Sequence, residues 1–187
     1  MPMKVAFVVY DGFNVFELAG ILEPMERLRQ GGYLDGLEWS FCAQHEAVRD
    51  KGGLQVASLE RPESLGGFDM VVVPGGPGIG RLLEDQGFID WVRTAHPARC
   101  KVGVSTGSLI LGAAGFLEKK EATTHPEAAE LLAGYCRALS TERIVEDGDC
   151  ITSSGAGTAT ELGLYLCRKW AGDEADVAIR YAMDYRG

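Results

Sequence analysis

Basic charge is in short supply in this sequence. Eighteen Lys and Arg face 27 Asp and Glu, for a formal net charge of −9. Phosphate binding needs clustered cations, so this balance argues against a nucleic-acid surface and against docking on an anionic membrane. Histidines number only three (His45, His96 and His125) and are dispersed, too few to suggest a metal site. The five cysteines (Cys42, Cys100, Cys136, Cys150 and Cys167) are odd in number and form no CxxC, so neither a zinc knuckle nor a redox pair is indicated. They read as free thiols in a reducing compartment. The opening apolar stretch, between Lys4 and Asp11, is too short for a secretory core or a membrane span. A cytoplasmic protein is expected, without nucleic-acid or membrane partners.

Repeats, low-complexity tracts and linkers are also missing, and 187 residues suit one domain, 1–187. What is present is an alternation of strand and helix patterns. KVAFVVY (4–10) is a β-branched run of the kind buried on both faces. A helix is predicted from Asn14, with Val15, Leu18, Leu22, Met25 and Leu28 as its apolar stripe, ending near Gly31-Gly32. LEWSFCAQ (37–44) and DMVVVPGG (69–76) are predicted strands, and GLQVAS (53–58) a hairpin or edge piece. A helix over 88–95 precedes the strand KVGVS (101–105), and a second helix of small residues runs on from it to about Gly115. ERIVEDGDCITSS reads as a hairpin turning at Asp147-Gly148, followed by a helix after Gly157 and a last one over 175–183. Such alternation predicts a mainly parallel sheet with helices on both faces. Ligands in such folds sit beyond the carboxyl ends of the strands, here the loops after Tyr10, Val73 and Val104.

The sharpest chemical signal is Gly103-Val104-Ser105-Thr106-Gly107, a G-x-S-x-G turn with a strand before it and a helix after it. Small flanking residues let the chain reverse sharply and lift Ser105 above the sheet edge, and the helix start can stabilise negative charge. A serine hydroxyl needs a base. Only His125 follows Ser105, with no Asp between them, so a serine-hydrolase triad is not supported. His125, just before a helix start at Pro126, reads as a capping or surface residue that could also face the pocket.

PGGPGIG (74–80) does not satisfy the dinucleotide fingerprint, and no cofactor is implied. Gly75 and Gly76 can offer backbone N–H groups to an oxyanion, although a plain strand-ending loop explains them too. Glu17, among apolar neighbours, has two balanced explanations. Buried, it would have a raised pKa and could move a proton; alternatively Asn14-x-x-Glu17 is a capping box.

Taken together, FELAG, VVVPGG, STGSLILGAAGFL, ATTH and SSGAGTATELG resemble the PfpI/ThiJ superfamily over almost the whole chain. The last segment, with its glycine pair and Thr158 opening a long helix, is most similar to the isocyanide (isonitrile) hydratase branch and to the amidase-like domain of some AraC-type regulators; DNA-binding helices are not expected here. The resemblance implies a flavodoxin-like α/β sandwich, a homodimer and a small-molecule substrate. It places the nucleophile at position 105, the acid at Glu17, pocket amides at Gly75, Gly76 and Thr106, and substrate contacts at Gly155 and Thr158. The family's elbow residue is cysteine, whereas this chain has Ser105, and a serine alkoxide does not form near neutral pH as a thiolate does. Two origins fit: an introduced Cys→Ser exchange that traps an inactive state, or a natural variant with lost or altered chemistry. The resemblance thus implies an isocyanide-hydratase-like scaffold with little activity as written. Glyoxalase, deglycase or PfpI-type peptidase chemistry fits less well, because Thr106 stands where those members place a histidine. A non-enzymatic ligand-binding or regulatory role is the further alternative.

Overall fold

The computed structural model describes residues 3–57 and 59–186. Strand β1 (Lys4–Val8) leads into helix α1 (Val15–Gln30), then β2 (Glu38–Cys42) and a small antiparallel pair, β3 (Ala47–Arg49) and β4 (Gln55–Ala57). β5 (Met70–Val73) is followed by the short α2 (Ile79–Leu82) and by α3 (Gln86–Arg93). β6 (Cys100–Val104) enters α4 (Gly107–Ala113) through the elbow. β7 (Glu121–Ala122), α5 (Ala129–Leu132) and β8 (Ala138–Leu139) form a side excursion. β9 (Ile144–Asp147), β10 (Cys150–Ser153) and α6 (Ala159–Ala182) complete the order.

The main sheet runs β2-β1-β5-β6-β10-β9, parallel throughout except for the last pair. Without its antiparallel edge strand this is the flavodoxin-like order, which reverses between β1 and β5. Burial follows position in the sheet. β5, β6 and β10 are buried at every residue, as is β1 after Lys4, whereas the edge strands β2 and β9 are partly exposed. That is why the central strands read as continuous apolar runs rather than alternating ones.

Helices α1 and α6 pack closely because small residues face each other. A Cβ on Gly20 would lie 2.7 Å from that of Ala159, and one on Gly163 would lie 2.9 Å from the Gly20 carbonyl oxygen. α4 packs against β6 and contacts α2, α3 and α5. The expected hairpin is present, but its register puts Gly148 and Asp149 in the loop, since Asp147 pairs with Cys150. Gly148 has φ +63, which suits the first position of a two-residue hairpin turn. The two C-terminal helices expected from the pattern are the halves of α6, which breaks at Gly172 (φ +87). The 53–58 piece pairs as β4 over Gln55–Ala57, and Ser58 lies outside the described residues. Among the described residues no helix is long and apolar enough to cross a membrane.

Candidate active site

β6 delivers Ser105 at the carboxyl edge of the sheet, where the chain must turn into α4 at once. Ser105 adopts φ +54, one of two non-glycine residues with positive φ among the described residues. That conformation costs free energy and persists only where the surroundings hold it. Here the Ser105 N–H donates to the Ser153 carbonyl at 2.9 Å, while its carbonyl accepts from Ser108 Oγ (2.8 Å) and Thr124 Oγ1 (2.9 Å). The two elbow glycines serve close approach. A Cβ on Gly107 would sit 2.1 Å from the Val73 carbonyl oxygen, and one on Gly103 would meet Ser108 Cα at 2.7 Å. The ATTH segment thereby acquires a physical role, since Thr124 braces the elbow and the Thr123 N–H binds Thr152 Oγ1 at 2.9 Å.

Glu17 reaches the same place from the first turn of α1 and is only 2% exposed. Its Oε2 accepts the Gly75 N–H at 2.6 Å and its Oε1 accepts Asn14 Nδ2 at 3.0 Å. Asn14 caps the helix through its side-chain oxygen on the Phe16 N–H (3.2 Å), while its own N–H goes to the Gly75 carbonyl at 2.8 Å. Glu17 therefore does not close a capping box, because the backbone N–H it would need is already bound to the glycine loop. Burial raises the Glu17 pKa above the usual carboxylate range. The Gly75 amide, Asn14, the Lys51 charge and the Ser105 hydroxyl pull it part of the way back. The arrangement is a buried carboxyl group with a raised pKa, fixed by Gly75 and Asn14 in the cleft that Ser105 also lines.

The glycine-loop amides are directed inward. The Gly75 N–H is taken by Glu17, and the Gly76 N–H donates to Thr106 Oγ1 at 3.1 Å. Tyr10 steadies this loop by donating to the Pro74 carbonyl at 2.6 Å. Of the three amides expected to line the pocket, that of Thr106 is the one with no hydrogen-bond acceptor among the described residues. Gly155 and Thr158 also reach the cleft. The Gly155 N–H donates to Thr158 Oγ1 at 3.0 Å, and the Thr158 hydroxyl donates back to the Gly155 carbonyl, so this pair shapes the wall.

Over Ser105 lies an open cleft of about 460 Å³, walled by Asn14, Glu17, His125 and residues 154–158. His125 serves both expectations, since it faces the cleft and its Nδ1 accepts the Glu127 N–H at 3.3 Å to cap the turn at Pro126. Lys51 and Arg143 also line the cleft and carried no local signal in the sequence. A smaller cavity of about 180 Å³ beside Tyr10, with Asp11, His45 and Arg81 in its wall, does not include Ser105 or Glu17. Thiols elsewhere do not substitute for a nucleophile. Burial pushes those of Cys42, Cys100 and Cys167 up to about 12 and raises Cys136 and Cys150 as well. No three His, Cys, Asp or Glu side chains gather to hold a metal among the described residues.

A parallel α/β sheet with a strained elbow at one strand end and a buried acid beside it defines a class of nucleophile-elbow proteins. Within that class this chain belongs to the DJ-1/PfpI family, whose profile matches residues 3–169. It is 34% identical to isonitrile hydratase of Pseudomonas putida over 186 residues, covering 99% of this chain and 79% of that protein. It is 29% identical to the HTH-type transcriptional regulator GbdR of Pseudomonas aeruginosa over 190 residues, 98% of this chain but only 51% of the regulator. A ThiJ/PfpI family protein from Pseudomonas syringae superposes with a TM-score of 0.88 at 24% identity, covering 100% of this chain and 76% of the other.

Proposed function

We propose that the cleft is the active site of an isonitrile-hydratase-type scaffold in which position 105 carries the nucleophile and Glu17 the proton. One observation carries this reading: a buried carboxyl group with a raised pKa, fixed by Gly75 and Asn14, lines the same cleft as the elbow side chain. With cysteine at position 105, the thiolate sulfur adds to the terminal carbon of R–N≡C, and that carbon takes the proton of the Glu17 carboxyl group. The product is an enzyme-bound thioimidate, R–N=CH–S, and a Glu17 carboxylate. Water then adds across the C=N bond, the C–S bond breaks, and Glu17 takes back one proton, so that R–NH–CHO leaves and the thiolate and the Glu17 carboxyl group are restored. The Thr106 N–H is available to the oxygen that water brings in. Ser105 supplies an oxygen nucleophile of far higher pKa, so the chain as written turns over slowly. The same reading takes the protein as one domain over 1–187, cytoplasmic and homodimeric, acting on a small molecule without a cofactor.

Hydration of cyclohexyl isocyanide by this chain and by Ser105→Cys tests the assignment. Formamide production is expected to rise by on the order of 10³-fold or more with cysteine. Equal rates from two folded proteins would overturn it. The similarity to a transcriptional regulator, together with Ser105 itself, favours a second reading in which the cleft binds a ligand without transforming it. Absence of any gain from cysteine would select that reading.

A further inference from the structure

We propose that the molecule this cleft takes carries a carboxylate, held by Lys51 with help from Arg143 and His125, while its other end meets Ser105. The inference rests on the reading above that the elbow cleft is the ligand site, and it adds the ligand's charge. The chain as a whole is acidic, at −9, yet the side chains facing this cleft are biased the other way. Lys51, Arg143 and His125 line it, against a single carboxyl group, Glu17. Glu17 is buried and already holds two hydrogen-bond donors.

Lys51 is held at the cleft by its backbone. Its N–H donates to the Phe13 carbonyl at 2.8 Å, directly before the cap of α1. Asp50 Oδ1 accepts the Gly52 and Leu54 N–H groups at 2.8 Å each, which fixes the loop that presents the lysine. Its ammonium has no carboxylate within ion-pairing distance among the described residues, whereas Lys101, Lys120 and Lys169 are each paired. Arg143 directs Nε and one terminal nitrogen at Glu161 (2.9 and 2.6 Å), which leaves the other terminal nitrogen for a ligand. Because His125 Nδ1 accepts the Glu127 N–H, the neutral ring carries its proton on Nε2, the side whose Cδ2 faces Gly155. Three donors and a reactive position thus share a space that suits a small molecule. Cations set in the wall of a concave site on an acidic protein attract a small anion selectively.

Dissociation constants for benzoate and benzamide on the chain with Ser105 intact, measured by ligand-observed NMR, test this. The two probes match in size and differ in charge. Benzoate is expected to bind about tenfold tighter, more weakly as salt rises, and about tenfold more weakly to Lys51→Gln. Benzamide binding as tightly as benzoate, benzoate failing to bind, or Lys51→Gln leaving the benzoate value unchanged would each overturn the proposal. Failure here is distinguishable from failure of the hydratase reading. If Ser105→Cys hydrates cyclohexyl isocyanide while benzoate shows no preference, the chemistry stands and the charge assignment falls. If benzoate is preferred through Lys51 while no isocyanide is hydrated, the charge assignment stands and the cleft binds a carboxylate ligand for another purpose.

Discussion

The two ends of β6 each hold a buried ionisable group, and they hold it in opposite ways. At the start of the strand Lys101 is 1% exposed, and its ammonium donates to the carbonyls of His96 (3.0 Å) and Ala98 (2.7 Å) and to Asp149 (2.6 Å). Asp149 is shared with Lys120. Every donor on Lys101 is used by these partners, and burial lowers its pKa. At the far end Glu17 is equally hidden, but it faces an open cleft and a residue in a costly backbone conformation. A buried charge alone therefore does not mark a reactive centre. The combination of burial, strain and access does.

The comparison can be broken or sharpened by substitution. The largest effect is expected from Gly107→Ala, whose Cβ would lie 2.1 Å from a backbone oxygen of β5. A loss of about 3 kcal/mol in chemical denaturation is predicted, because backbone cannot yield as a side chain can. Lys101→Met should cost about 2 kcal/mol by the same assay, the two carbonyls losing a charged donor. It should leave the kinetics of Ser105→Cys unaltered, and a change in those kinetics would mean that the two ends of β6 are coupled.

Asn14→Ala is smaller, about 1 kcal/mol for the lost cap. Because Asn14 also lowers the Glu17 pKa, the variant should move the carboxyl titration further up, which a ¹³C-detected NMR titration reads. The smallest effect concerns pH. Glu17 has a folded-state pKa above its ordinary value of 4.5, so its contribution to stability is full below that value and is lost as pH rises through the raised one. Glu17→Gln has no such loss. Its stability relative to the parent chain should therefore increase as pH rises from about 4.5, and a flat or falling difference would contradict the raised pKa.

Much of this was readable in advance because its signals are local. The order of elements follows from apolar runs and turn residues, and the elbow from a five-residue pattern set between a strand and a helix. Glu17 was ambiguous for a definite reason: a capping box and a buried acid look alike at three-residue spacing. What decides between them is the Asn14 N–H to Gly75 bond, between residues 61 positions apart. Lys51 and Arg143 were silent for the same reason. Each lies on a loop with no motif, and only the assembled sheet brings them to the cleft. The glycine loop shows the converse, since its sequence suggested free amides while the fold commits both to Glu17 and Thr106.

The central claim is that position 105 and Glu17 act together, and it is tested most directly by isocyanide hydration in Ser105→Cys with and without Glu17→Gln. Glutamine preserves the size of the side chain but cannot supply the proton. The account predicts that the double variant folds and hydrates at least about 100-fold more slowly than Ser105→Cys. Equal rates would contradict it and leave Glu17 as a support for the glycine loop alone.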